Sequence, residues 1–380
     1  MTLSADYIVV GGGVVGAATA FHLALSGSVV LLEGHTIASG ASGGPGKRGV
    51  RASGRDIREL PLAQRAYELW PTLADTLEAD IGYERVGRLS VLETDEASPT
   101  GQTAFEVLRA EVQESFGIPT IIKEAQELDD LQPGLAKHVK RGLYCPLDGI
   151  VDHTATTMAF ANAAKRRGAD IQEHAWVERV SAEDAVHLRG QRDPIVAKKG
   201  VLIACNAHIN PLLQRSFGLS LPLYPFNPQM NFVTSKEPLP INTLVSSSSR
   251  PVEIKNLGNH VYMISGGRMG GWNEKEDHGY TLDTSFDLNY RDACAILPIL
   301  SQATFLHANA SRQCTQSYDG IPTIDCVPGT NKVIMAAGWS GHGFAISPAV
   351  AEAIAAWMIT GEKSQVLEPF NVDRWKGMME

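Results

Sequence analysis

The stretch Asp6-Tyr7-Ile8-Val9-Val10-Gly11-Gly12-Gly13-Val14-Val15-Gly16-Ala17-Ala18, with Val29-Val30-Leu31-Leu32-Glu33 after it, decides the fold. Tyr7 to Val10 is uniformly apolar, which predicts a parallel strand covered on both faces. Gly11 permits a tight turn, Gly13 lets a phosphate approach the backbone, and Gly16 lets the following helix pack close to the strand. The amides at the start of that helix, around Val14 and Val15, are free to face a pyrophosphate, and the helix dipole favours the negative charge. Glu33 ends a second apolar run about twenty residues on, where a carboxylate can accept both hydroxyls of an adenosine ribose. Its charge disfavours a 2′-phosphate. A glycine turn alone is weak evidence, but this one follows a strand, opens a helix and has its acidic partner in place, so a βαβ dinucleotide site is expected.

Composition narrows the class. A chain of 380 residues exceeds one ordinary core and predicts two domains, and 44% hydrophobic with 20% charged residues is a globular composition. A net charge of −9 offers no footprint for nucleic acid. No stretch reads as the roughly 18 apolar residues of a membrane span. Cys145, Cys205, Cys294, Cys314 and Cys326 are odd in number and scattered, which predicts reduced thiols in a cytoplasmic protein and no metal site.

Working outward, Ser39 to Arg51 is too polar and glycine-rich to be core. Four cations, Lys47, Arg48, Arg51 and Arg55, crowd it and its continuation. The loop is either a solvated basic surface or lies beside the phosphates, with Gly43 and Lys47 near the cofactor and its arginines facing either the flavin or an anionic substrate, since guanidinium groups grip carboxylates in a bidentate fork. Leu60 to Leu77 has helical spacing with a bend at Pro71, and a helix is expected from about Thr103 to Phe116. After Gly149-Ile150-Val151-Asp152 the pattern gives a helix over Thr154–Arg167, a strand around Ile171–Val180 and a buried strand over Gly200–Asn206. Alternating runs such as Gln229–Thr234 and His260–Ser265 suggest a mostly antiparallel sheet between about Leu221 and Asn309. Val333 to Phe344 is another buried strand, glycine turn and helix start. Its dipole end would suit the electron-rich N1/C2 edge of a reduced flavin, a need that nicotinamide lacks.

The order of these pieces, with Arg48-Gly-Val-Arg51, Pro61-Leu62-Ala63, Glu68-Leu69-Trp70 and Gly338 to Phe344, resembles the FAD-dependent D-amino-acid oxidase superfamily. Within it the sequence is most similar to the monomeric sarcosine oxidase, glycine oxidase and D-amino-acid dehydrogenase branch. The resemblance implies an α/β plus antiparallel β fold. A discontinuous Rossmann-like FAD domain would comprise residues 1–85, 146–218 and 310–380, and a substrate domain built on a large antiparallel sheet would comprise 86–145 and 219–309. It implies non-covalent FAD, contacted by Gly11, Gly13, Gly16, Glu33, Ser39, Ser42, Val177, Gly338, Trp339, Ser340, Gly341, His342, Gly343 and Phe344. Arg48 would lie over the flavin and Arg51 would pair with a substrate carboxylate. His342 is read as a turn residue near the flavin or as a base.

Several positions depart from that pattern. Ala345 stands where the sarcosine oxidases carry a carboxylate-binding lysine, and Cys314 stands about where glycine oxidase relatives carry an arginine. The lysine that activates oxygen falls near Met263 or Ile264, which leaves oxygen or another acceptor open. The cysteine that attaches FAD in some relatives aligns with Arg312. Arg268 is therefore expected as a substitute anchor, and Tyr224, Phe226, Tyr262 and Trp339 as pocket walls. The expected activity is oxidation of a small carboxylate-bearing amine, possibly N-substituted, by hydride transfer to flavin N5. Alternatives are an FAD-dependent 2-hydroxy-acid dehydrogenase and the flavin-bearing subunit of an opine- or hydroxyproline-type dehydrogenase.

Overall fold

The computed structural model describes residues 4–93 and 102–378. Two eight-stranded sheets organise them. In the first, the path runs Thr323–Cys326, Val333–Ala337, Ile195–Ile203, Ser4–Val10, Val29–Leu32, Asp170–Gln172, with Ala185–Leu188 pairing on Ile195–Ile203 and Val177–Val180 pairing on Ala185–Leu188. Ser4–Val10 pairs in parallel with both neighbours, Tyr7 opposite Val29 and Val9 opposite Leu202. Successive strand residues point to opposite faces. Tyr7 and Val9 accordingly enter a core shared with the helices Val14–Leu23, His153–Arg166 and Gly343–Thr360, while Ile8 and Val10 enter one shared with Ile209, Leu212 and Leu213. Burial on both sides is why Tyr7 to Val10 carries no charged residue.

The second sheet is ordered Thr304–Asn309, Met230–Thr234, Val261–Ser265, Glu253–Gly258, Leu244–Ser247, Arg88–Leu92, Arg141–Cys145, Ile121–Glu124. Every pairing in it is antiparallel except Leu244–Ser247 with Arg88–Leu92. One face, with Leu89, Val245, Ile254, Tyr262 and Ile264, packs on Ala293, Ile296, Leu297 and Leu300 from the helix Asp283–Ile296 and the turn after it. Pleating sends Arg88, Glu253, Lys255, Met263 and Ser265 to the other face. That face looks toward the first sheet. A ribbon of Lys47–Val50 and Gly149–Asp152 lies between them and sets Arg48 opposite Val151.

Several expectations shift in detail. Leu60–Leu77 divides into a helix over Leu60–Leu69, a 3-10 turn at Trp70–Thr72 holding Pro71, and Leu73–Leu77. The expected strand over 171–180 is two, Asp170–Gln172 and Val177–Val180, because His174 between them takes a left-handed φ of 57°. Leu223–Phe226 leaves the large sheet to pair with Cys314–Ser317. The expectation of no span-length apolar segment also fails for Gly343–Thr360, whose mean hydropathy is 1.4, but 67% of it is buried between the first sheet and its neighbours, as in a core helix.

Candidate active site

A cavity of about 580 Å³ runs from the first glycine turn to the face of the second sheet. At one end Gly13, Val14 and Val15 open the helix Val14–Leu23, which has no side-chain cap and no acid in its first turn. Gly11, at φ 113°, tolerates no Cβ, since one would sit 2.4 Å from the Ala204 carbonyl oxygen. Gly16 is not in the cavity wall; a Cβ there would lie 1.9 Å from the Gly11 oxygen, so it serves the close approach of helix and strand. Among the described residues, nothing beyond its own chain neighbours lies within 4 Å of a Cβ built on Gly13. Glu33 accepts from the Gly12 amide at 2.7 Å and the His35 amide at 2.8 Å, which aims its carboxylate along the cavity. Trp176, beside Val177, has a buried indole N–H with no partner among the described residues.

At the other end the helix Gly343–Thr360 presents a second uncapped N-terminus, with Gly341, His342, Gly343 and Phe344 in the wall. Midway, His153 Nδ1 lies 3.2 Å from the Gly46 carbonyl, so it carries the proton and donates. Nε2 is then a buried acceptor without a partner among the described residues. Burial, then the charge of Arg48, brings this imidazole down to about 4, so it is neutral near pH 7. Two open helix ends, a ribose-height carboxylate and an orphaned acceptor between them fit an extended dinucleotide with hydroxyls along its length.

The loop arginines do different things. Arg48 Nη1 donates to the Lys47 carbonyl at 2.9 Å and Nη2 to the Gly43 carbonyl at 2.8 Å, and it also bonds Gly44. It pins the glycine loop while keeping one flank in the cavity, and burial brings it down to about 10. Arg51 makes one long ion pair, Nε to Glu253 Oε1 at 3.5 Å. Glu253 also pairs with Lys255 at 3.2 Å. Burial pushes the Glu253 carboxyl up, but Lys255, Arg51 and Arg88 together hold it well below the usual range. Arg55 lines the same end, and burial with the Arg51 charge brings it down to about 9.

His342 is fully engaged. Its Nδ1 donates to the Ser340 carbonyl at 3.0 Å, and Nε2 is 3.0 Å from both oxygens of buried Glu59. Burial, then Arg55, lowers its pKa.

The other expected residues divide between the wall and its surroundings. Arg268 is the main correction: its guanidinium pairs with Asp292 at 2.9 Å, beyond the turn that ends Val261–Ser265, so it does not substitute for the missing lysine. Lys47 pairs with Glu84, and Ser39 bonds the Thr36 carbonyl. Gly43 meets the site through its bond to Arg48. Gly338 and Ser340, both at positive φ, shape the second turn from behind. Trp339 is in the wall, but Tyr262 is core, Tyr224 is exposed, and Phe226 approaches Gly341 from outside the wall. Ser42, Val177, Cys314 and Arg312 line the cavity. The sequence reading omitted Glu253, Lys255, His153 and Glu59. The charged alternation Glu253-Ile254-Lys255 was the available signal for the first two.

A Rossmann-like sheet whose dinucleotide cavity ends on the polar face of an antiparallel sheet defines a flavin-dependent oxidoreductase. Residues 6–357 match the family described as DAO, FAD dependent oxidoreductase, and the chain belongs to that family. It is 28% identical to a glycine oxidase of Geobacillus kaustophilus, over 99% of both chains. It is 26% identical to a monomeric sarcosine oxidase of Bacillus sp. strain B-0618, over 98% of this chain and 97% of that one. The crystal structure of the Geobacillus kaustophilus glycine oxidase superposes with a TM-score of 0.85, covering 98% of this chain and 99% of the other at 25% identity. FAD is the cofactor of this enzyme.

Proposed function

We propose that the chain oxidises the C–N bond of a small amino acid or N-substituted amino acid, of sarcosine, glycine or D-amino-acid type, passing the electrons to oxygen or another acceptor. When bound, FAD supplies the electron sink, taking a hydride at N5 from the carbon next to nitrogen. The observation that carries this reading is Arg51 with Arg55 at the far end of the cavity, a guanidinium pair suited to a carboxylate. Gly13 to Val15 and Glu33 hold the nucleotide, the helix start at Gly343 stabilises negative charge on the ring, and Arg51 orients the substrate so that its C–H faces the flavin. The imine product leaves and is hydrolysed to an oxo acid and an amine.

Two features favour an amine over a 2-hydroxy acid. An alcohol needs a base for its proton, and the imidazole at this end has both nitrogens engaged. An amine enters already neutral after losing a proton to water. Non-covalent FAD is supported by the thiols in the wall: burial raises Cys314 to about 11 and Cys205 to about 12, so neither is a ready nucleophile. The division 1–85, 146–218 and 310–380 for FAD against 86–145 and 219–309 for substrate is supported by which sheet each segment enters, apart from Leu223–Phe226. A cytoplasmic setting is supported by the five free thiols. A partner subunit that carries electrons away belongs to the same reading if oxygen reacts slowly.

Anaerobic titration of the holoenzyme with glycine, sarcosine, D- and L-amino acids, followed by air, tests this. An amine should bleach the flavin and release ammonia or an alkylamine. Bleaching by 2-hydroxy acids alone would overturn the reading.

A further inference from the structure

We propose that the arginine end of the cavity holds two acid groups, one at Arg51 and a second at Arg55, so that the substrate is an amine carrying two carboxylates. The inference rests on the amine-oxidation reading above and narrows its substrate class.

The argument is one of geometry and charge. Arg55 Nε donates to the Arg51 carbonyl at 3.2 Å, which fixes its guanidinium beside that of Arg51. Among the described residues its two terminal nitrogens donate to nothing and it enters no ion pair, although it lines the cavity. The guanidinium groups crowd further behind: a Cβ on Gly54 would lie 3.5 Å from Arg51 Nη1 and 3.6 Å from Arg88 Nη1 and Arg109 Nη2. Arg109 donates to the Gly54 carbonyl. Arg88 is tied through Ser53 to Asp148, since Nη1 donates to the Ser53 hydroxyl at 3.0 Å and that hydroxyl donates to the carboxylate.

Glu59 acts on Arg55 only through space: both of its oxygens lie 3.0 Å from His342 Nε2, and among the described residues no hydrogen bond or ion pair joins it to the guanidinium. What faces the cavity at this end is Arg48, Arg51, Arg55 and Lys255 against the single carboxylate of Glu253. An excess of buried positive charge is costly. A substrate carboxylate at Arg51 lowers it, and a second, on the other arm of a secondary amine, lowers it further at Arg55. Ala345, buried behind the turn, adds no cation, so the second acid is read at Arg55.

Thiodiacetate, in which sulfur replaces the amine nitrogen, offers no C–N bond to oxidise and reports binding alone. Its monoamide keeps the size and drops one charge. Each is titrated into the oxidised holoenzyme and the flavin absorbance change gives the half-saturation concentration. Thiodiacetate should bind at least about tenfold more tightly than the monoamide, and Arg55→Gln should bring that ratio close to one. Equal binding of the two probes by the unaltered enzyme overturns the proposal, as does a ratio that survives Arg55→Gln. If the variant does not retain flavin, the two probes on the unaltered enzyme decide alone. If neither iminodiacetate nor sarcosine reduces the flavin while thiodiacetate still binds preferentially, amine oxidation fails and the two-acid site stands.

Discussion

At the glycine-turn end the cavity is made of backbone: amides of one helix start, a carboxylate from the next strand, and glycines that keep Cβ atoms out of the way. At the arginine end it is made of side chains drawn from the loop ribbon, two antiparallel strands and a helix start more than 300 residues from the first turn. Backbone contacts depend on a path that any suitable sequence can follow. Side-chain contacts depend on who the neighbours are. The first end therefore sets what class of cofactor binds, and the second sets what is done with it.

The largest effect expected from breaking this contrast is at Gly16. Gly16→Val places atoms into the Gly11 carbonyl and should cost at least about 3 kcal/mol of stability, with the purified protein colourless. A yellow variant with an unchanged urea midpoint would show that the close approach is not needed. Between the two ends, His153 gives a pH signature. Its folded pKa of about 4 lies below the ordinary 6.5, so between those values the unfolded chain binds a proton that the folded one does not. Stability should fall by roughly 3 kcal/mol as pH drops from 6.5 toward 4. His153→Asn should flatten that slope, read from urea midpoints at pH 7 and 5.

At the arginine end, Arg51→Ala should raise the half-saturating amine concentration for bleaching about 10- to 100-fold while moving FAD affinity less than about threefold. Equal losses in both would shift Arg51 to the cofactor side. The smallest effect expected is at Glu33, where Gln keeps one of the two oxygens that accept from the Gly12 and His35 amides and loses the other together with the charge. FAD affinity should weaken by about tenfold with substrate half-saturation unchanged once flavin is saturating.

The same contrast explains what the sequence disclosed. Tyr7 to Glu33 encodes strand, turn, helix and acid contiguously, and each is dictated by local chemistry, so that unit was readable without its surroundings. The apolar burial of Val333–Ala337 and the turn after it were readable for the same reason. Arg268 misled because a lone arginine near the right place carries no sign of which way its turn exits; Asp292, on a later helix, claims it. Lys255 went unread because its cavity position follows from pairing opposite Met263, a fact of register between strands. The sequence leaves His342 open between turn and base because its partner, Glu59, lies 283 residues away.

The alternation along the second sheet has an evolutionary side. In Glu253–Gly258 and Val261–Ser265, Ile254, Tyr262 and Ile264 hold the hydrophobic layer, and Glu253, Lys255, Met263 and Ser265 line the cavity. Two independent texts are thus interleaved on the same strands, one written for folding and one for chemistry. Mutation can revise the second letter by letter without disturbing the first, which makes this sheet a surface on which new substrate preferences can arise from an unchanged scaffold.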